Sequence, residues 1–182
     1  MRRKIALGAG MLALLLMPSG AAAAATLDQA QEQVGHAAGF PEDIVPIQAL
    51  AQTFTAGRSG TLSEVWIYPT GNGLGKRSVT VELRETSSGL PGTSVLASAS
   101  VKTNLVGKWI KVSFRPGAAD TAGTQYAIVT VMNGSKGVVL EGHWGNPYAG
   151  GDAYATTDNG WSRFEDIYSG DIFDFAFRTY VQ

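Results

Sequence analysis

After Pro46 the apolar residues recur in short alternating runs separated by glycine turns, and this period-two pattern confines most of the chain to β-structure. The clearest run interleaves Val79, Val81 and Leu83 with Thr80, Glu82 and Arg84. Alternation of that kind gives one buried and one wet face, which is what a half-buried strand requires. Residues 52–55, 62–68, 95–101, 109–114, 138–144 and 173–181 read the same way, and Tyr126 to Val131 is apolar enough to be buried on both faces. Gly57 to Gly60, Gly71-Asn72-Gly73, Ser87 to Gly92, Pro116-Gly117 and Asn133-Gly134 punctuate them as turns and loops. Eight or nine short strands so spaced predict an all-β, antiparallel two-sheet sandwich. The final run is too apolar for a loose terminus, so it is predicted inside a sheet, which favours a jelly-roll over an immunoglobulin-like sandwich.

The first 25 residues have the composition of an export signal. Arg2, Arg3 and Lys4 precede an apolar run from Ile5 to Met17, Pro18-Ser19-Gly20 breaks it, and alanines 21–25 supply the small side chains a signal peptidase needs. The run falls short of the about 20 apolar residues that span a bilayer. Cleavage near Ala25 and Thr26 is therefore expected, and the mature protein is expected to be secreted. Residues 26–46 read as an N-terminal arm, irregular or weakly helical: Leu27, Ala30, Val34 and Ala37 share a helical side, while Gly35, Gly39 and Pro41 weaken and end it. Residues 47–182 form the sandwich domain.

Removing 25 residues from 182 leaves about 157, enough for one domain with a single core. The three cations of the signal leave with it, so 11 basic residues face 15 acidic ones and the mature net charge is −4. Such a surface repels phosphate, which argues against a nucleic-acid partner. Cysteine is absent, so no disulfide staples the fold and thiol catalysis is excluded.

Six segments stand in an order that resembles a known family: residues 52–57 (QTFTAG), 79–84 (VTVELR), 89–92 (GLPG), 122–129 (AGTQYAIV), 146–151 (NPYAGG) and 174–181 (DFAFRTYV). Together they resemble the jelly-roll modules of bacterial secreted and cell-surface proteins labelled choice-of-anchor domains, over roughly Ala51 to Val181. The resemblance implies the fold and an exported setting. The broader group includes carbohydrate-binding modules and adhesion domains. The chain carries one copy with no sorting signal or C-terminal membrane tail, so release is expected rather than anchoring.

Three constellations carry chemistry. The aromatic one, Trp144, Tyr148, Tyr154 and Trp161, lies among turn glycines and interleaves with Glu141, Asn146, Asp152 and Arg163. Sugar recognition needs flat rings against C–H faces and charged or amide groups on hydroxyls, so Glu141, Trp144, Tyr148, Asp152, Trp161 and Arg163 are the candidate ligand-binding residues; against this, Trp144 ends an apolar run and reads equally as core. The acidic one comprises Asp158, Glu165, Asp166, Asp171 and Asp174, with Asp28 and Asp43 in the arm. It makes Asp171 and Asp174 candidate ligands of a structural calcium, although no ordered calcium-loop spacing is present. The third is the pair of histidines, His36 and His143, which lie in no nucleophile elbow or metal-ligand spacing. Glu82, Arg84 and Arg178 are expected to form a cross-strand ion pair. The sequence thus predicts a secreted, non-catalytic module for an extracellular polysaccharide or cell-surface component. The alternatives are an adhesion domain for another protein and a small secreted glycoside hydrolase or lyase. No cofactor beyond the calcium is expected, and no membrane contact after cleavage.

Overall fold

The computed structural model describes residues 24–38, 49–70, 76–104, 107–131, 139–157 and 159–182. Most of the expected signal segment, residues 39–46 of the arm and residues 47–48 lie outside them. The described chain is built of strands: β1 (Thr26–Gln31), β2 (His36–Ala38), β3 (Ala49–Thr55), β4 (Gly60–Ile67), β5 (Pro69–Thr70), β6 (Lys76–Ser87), β7 (Leu90–Asn104), β8 (Ile110–Asp120), β9 (Gln125–Val131), β10 (Val139–Trp144), β11 (Ala153–Thr157), β12 (Gly160–Arg163), β13 (Phe173–Phe175) and β14 (Phe177–Val181).

One layer is a six-stranded sheet in the order β12-β11-β3-β9-β6-β7. A second sheet runs β1-β14-β4-β8, and a third, β13-β10-β2 with β5 beside β10, is joined to it along the chain, β5 following β4 and β13 preceding β14. All of these pairings are antiparallel. Without the short strands and the β10–β13 insertion, the two sheets read β1-β14-β4-β8 and β3-β9-β6-β7. The chain therefore passes repeatedly from one sheet to the other, which is the jelly-roll arrangement.

Alternation explains the core between the layers. Leu50 and Phe54 of β3, Val79, Val81 and Leu83 of β6, and Tyr126 and Ile128 of β9 point inward. They meet Leu62, Val65 and Ile67 of β4, Val112 and Phe114 of β8, and Phe177 and Val181 of β14. Phe54 joins the layers, its ring 6.0 Å from both Tyr126 and Phe177. Tyr126 to Val131 is buried on both faces along most of its length, as its composition predicts, because β9 is an inner strand.

The arm departs from expectation. Thr26–Gln31 is a strand, paired with β14 from Thr26↔Val181 to Gln31↔Phe177 with a bulge at Asp28, and residues 36–38 pair with β10. The helical spacing of Leu27 and Ala30 gives way because β14 offers the backbone an edge to pair with, and burial outweighs a weak local preference. Strand β8 also runs past Pro116-Gly117 instead of ending there. Residues 114–117 loop out opposite Ser63, the ladder resuming at Ala118↔Leu62, so the bulge absorbs the proline.

Candidate functional site

The outer face of the six-stranded sheet gathers half of the sequence-predicted ligand residues. Paired residues share a face in an antiparallel ladder. One row across the sheet is Trp161, Thr156, Ala49, Val131, Thr80 and Ser100; the next is Arg163, Tyr154, Ala51, Val129, Glu82 and Ser98. A third brings Thr53, Ala127 and Arg84 into line. The middle of the face is a floor of small apolar groups, Ala49, Ala51, Ala127 and Val129, against which Tyr154, Trp161 and Val131 pack. Aromatic and charged groups flank it on the β11–β12 side, and Glu82 and Arg84 on the β6 side.

The polar groups on this face are held in place. Arg163 pairs with Glu165 at 2.7 Å and lies 3.7 Å from Asp152. Asp152 is anchored through its backbone N–H, which donates to Thr53 Oγ1 at 2.9 Å. Tyr154 Oη lies 3.4 Å from Asp152 Oδ2 and donates to the carbonyl of Gly89 at 3.3 Å. Burial, then the Asp152 charge, raises the Tyr154 hydroxyl above its ordinary value, so it stays a donor. Its contact with Gly89 brings the β6–β7 turn over the sheet. Two register shifts around Arg84 bend the hairpin there and increase its twist. The face is thus closed at one end by Tyr154 and Gly89, with Trp161 and Thr156 in the row toward the other end.

The remaining predicted residues sit elsewhere. Trp144 is half-buried on β10, edge-on to Phe173 at 5.0 Å. Tyr148 stands edge-on to Phe177 at 5.0 Å and donates its hydroxyl to Gln29 Oε1 at 3.0 Å. Burial pushes that hydroxyl up to about 12. Both rings therefore serve the second layer and its rim, and neither shares a face with Trp161. Glu141 is also on β10, opposite Ala37. Tyr154, of the aromatic constellation but not among the candidate ligand residues, and the Glu82–Arg84 pair, read as structural, also belong to the face; only the strand register reveals that they line up with Arg163.

Asp171 and Asp174 do not form a common site. Asp174 is fully buried in β13, where Oδ1 accepts from Gln52 Nε2 at 2.9 Å and Oδ2 from the Tyr148 N–H at 3.0 Å. Asp171 is exposed in the turn that Asp166 organises, whose Oδ1 accepts from the N–H groups of Tyr168 and Ser169. Among the described residues no group of three or more His, Asp or Glu side chains is placed to hold a metal ion. Asp43 and Asp158 lie outside the described residues. The expected ion pairing among Glu82, Arg84 and Arg178 is replaced. Glu82 pairs with Arg84 along one strand at 2.5 Å, while Arg178, in the other sheet, pairs with Glu32 at 2.6 Å and lies over the Trp109 ring.

His36 and His143 come together across β2 and β10, ring centroids 4.9 Å apart and edge-to-face. His143 Nδ1 lies 2.8 Å from the Trp144 carbonyl, which can only accept, so that nitrogen carries the proton. No family model, no curated protein and no solved structure matches the chain.

Proposed function

We propose that this protein is a secreted, non-catalytic binding module that recognises an extracellular carbohydrate on the outer face of its six-stranded sheet. The observation that carries the reading is the register that places Trp161 and Tyr154 with Arg163 and Asp152 beside a floor of small apolar side chains. A ring such as Trp161 stacks on the C–H face of a pyranose. Arg163, Asp152 and Glu82 are suited to its hydroxyls, while the buried floor of alanines and Val129 supports the Tyr154 and Trp161 rings from below. The resemblance to choice-of-anchor modules agrees with an exported role of this kind. Trp144 and Tyr148, engaged with the second layer, have no part in it.

The test is a glycan array with the wild type and Trp161→Ala, each first shown to be folded by its melting transition. A stacking contact is worth on the order of 1 kcal/mol, so the variant should bind its glycan about fivefold more weakly. Equal binding by both proteins, or no glycan bound by the wild type, rejects the reading. A second reading, attachment to another surface protein, is favoured by the tip formed by Ile167 and Tyr168, which are 86% and 93% exposed. Replacing both with serine would weaken such attachment and leave glycan binding unchanged.

A further inference from the structure

Asp120 ends β8 with its side chain 4% exposed, and neither of its carboxylate oxygens has a hydrogen-bond partner. Asp28, the bulged residue of β1, has a second such group: Oδ2 accepts from the Gly57 N–H at 3.2 Å, while Oδ1 is buried and unpartnered. The two carboxylates border the same pair of joined loops. Residues 56–60 and 121–124 are tied by Ala56 N–H to Thr124 O, Gly123 N–H to Ala56 O, and Ala122 N–H to Ser59 Oγ. Gly60 is the register partner of Asp120, and a side chain at Gly57 would run into Asp28 and Gln29. Among the described residues no ion pair reaches either carboxylate.

We propose that Asp28 and Asp120 are the carboxylate ligands of a calcium ion that ties β1 to the 56–60 and 121–124 loops. A buried acceptor left unsatisfied is costly, and more so when charged, so three such oxygens bordering one pair of joined loops call for a compensating group. A proton serves only one of them. A divalent cation serves all three and cancels both charges. The donors are oxygens only, which selects a hard cation. Calcium, with about six to eight ligands in adaptable geometry, accepts an irregular set completed by main-chain carbonyls and water. The neighbouring Thr121 N–H donates to Tyr126 Oη and leaves the Asp120 oxygens open. The site lies apart from Asp171 and Asp174 and is independent of the sugar-binding reading.

The test is calorimetric titration of the chelator-stripped full chain with Ca²⁺, paired with melting curves in Ca²⁺ and in chelator. One equivalent should bind and raise the melting temperature. Asp28→Asn and Asp120→Asn should each weaken binding by more than about tenfold, since even outer-shell changes cost that much, while Asp171→Asn should not. A wild type that neither binds nor shifts overturns the proposal, and so does wild-type affinity in both the Asp28 and Asp120 variants. Should both variants fail to fold, tryptic cleavage after the exposed Arg58 of the wild type decides: Ca²⁺ should slow it severalfold, and an unchanged rate overturns the proposal.

Discussion

Asp174 is a charged group placed where the core is driest, and its partners explain why it is tolerated. Gln52, an inward residue of β3 between Leu50 and Phe54, donates to its carboxylate and accepts from the Phe175 N–H at 2.8 Å, so one amide fastens β3 to β13. Gln31 Nε2 donates to the Asp174 carbonyl at 3.1 Å and brings in β1. The Gln52 amide and the Tyr148 N–H hold the carboxyl down, but burial first, and the Asp152 charge after it, outweigh them and push it up to about 6. With Asp120 shifted alike, the native state binds protons that the unfolded chain, with an ordinary value of 3.8, has released. The stabilisation is fully present below that ordinary value and is lost as pH rises through about 6, by up to about 3 kcal/mol for each group. In chelator the protein should therefore melt higher at pH 5 than at pH 7.5. A melting temperature that rises across that interval would contradict the assignment. Asp166, held down by the Ser169 and Tyr168 N–H groups, opposes this trend at lower pH.

At the scale of elements, the β6–β7 hairpin makes the outer face a bent surface. Its turn is two residues long, Ser87 facing Leu90, with Ser88 and Gly89 at φ values of 52° and 80°. Two left-handed residues in succession make a type I′ turn, which matches the twist of the strands it joins. Serine fits the first of these positions poorly and asparagine fits it well. Ser88→Asn should raise stability by about 0.5 kcal/mol, read as a higher urea midpoint at unchanged slope; a lower midpoint would refute this reading of the turn. Sequence patterning places a loop from Ser87 to Gly92, and both long strands are legible from their alternation. What it cannot supply is the curl that carries Gly89 to Tyr154, because that depends on bulges near Arg84 and on a strand 65 residues away. The arm is the converse case. Leu27 and Ala30 suit a weak helix as well as a strand, and the choice is made by β14, about 150 residues later. Trp144 and Trp161 look alike in sequence, yet β10 lays one against Phe173 while β12 puts the other on the outer face.

At the scale of the whole molecule, the ends of the described chain close the sandwich together. Strand β14 is internal only because β1 lies along it; without β1 its outer edge would be a row of unpaired backbone groups flanked by Phe177 and Val181. Such an edge pairs readily with another copy of itself. Strand β1 also supplies Gln29, which accepts from Tyr148, and Gln31, which donates to the Asp174 carbonyl, so its loss strips partners from buried groups as well as covering the edge no longer. Each lost bond of this kind is worth about 1 kcal/mol. Deleting the chain through Val34 should therefore cost several kcal/mol, seen as a melting temperature lower by ten degrees or more at about 4 °C per kcal/mol, and should produce dimers and larger species that grow with concentration in light scattering after gel filtration. A deleted protein that stays monomeric and melts as the intact chain does would mean that β1 merely decorates a sheet already complete without it.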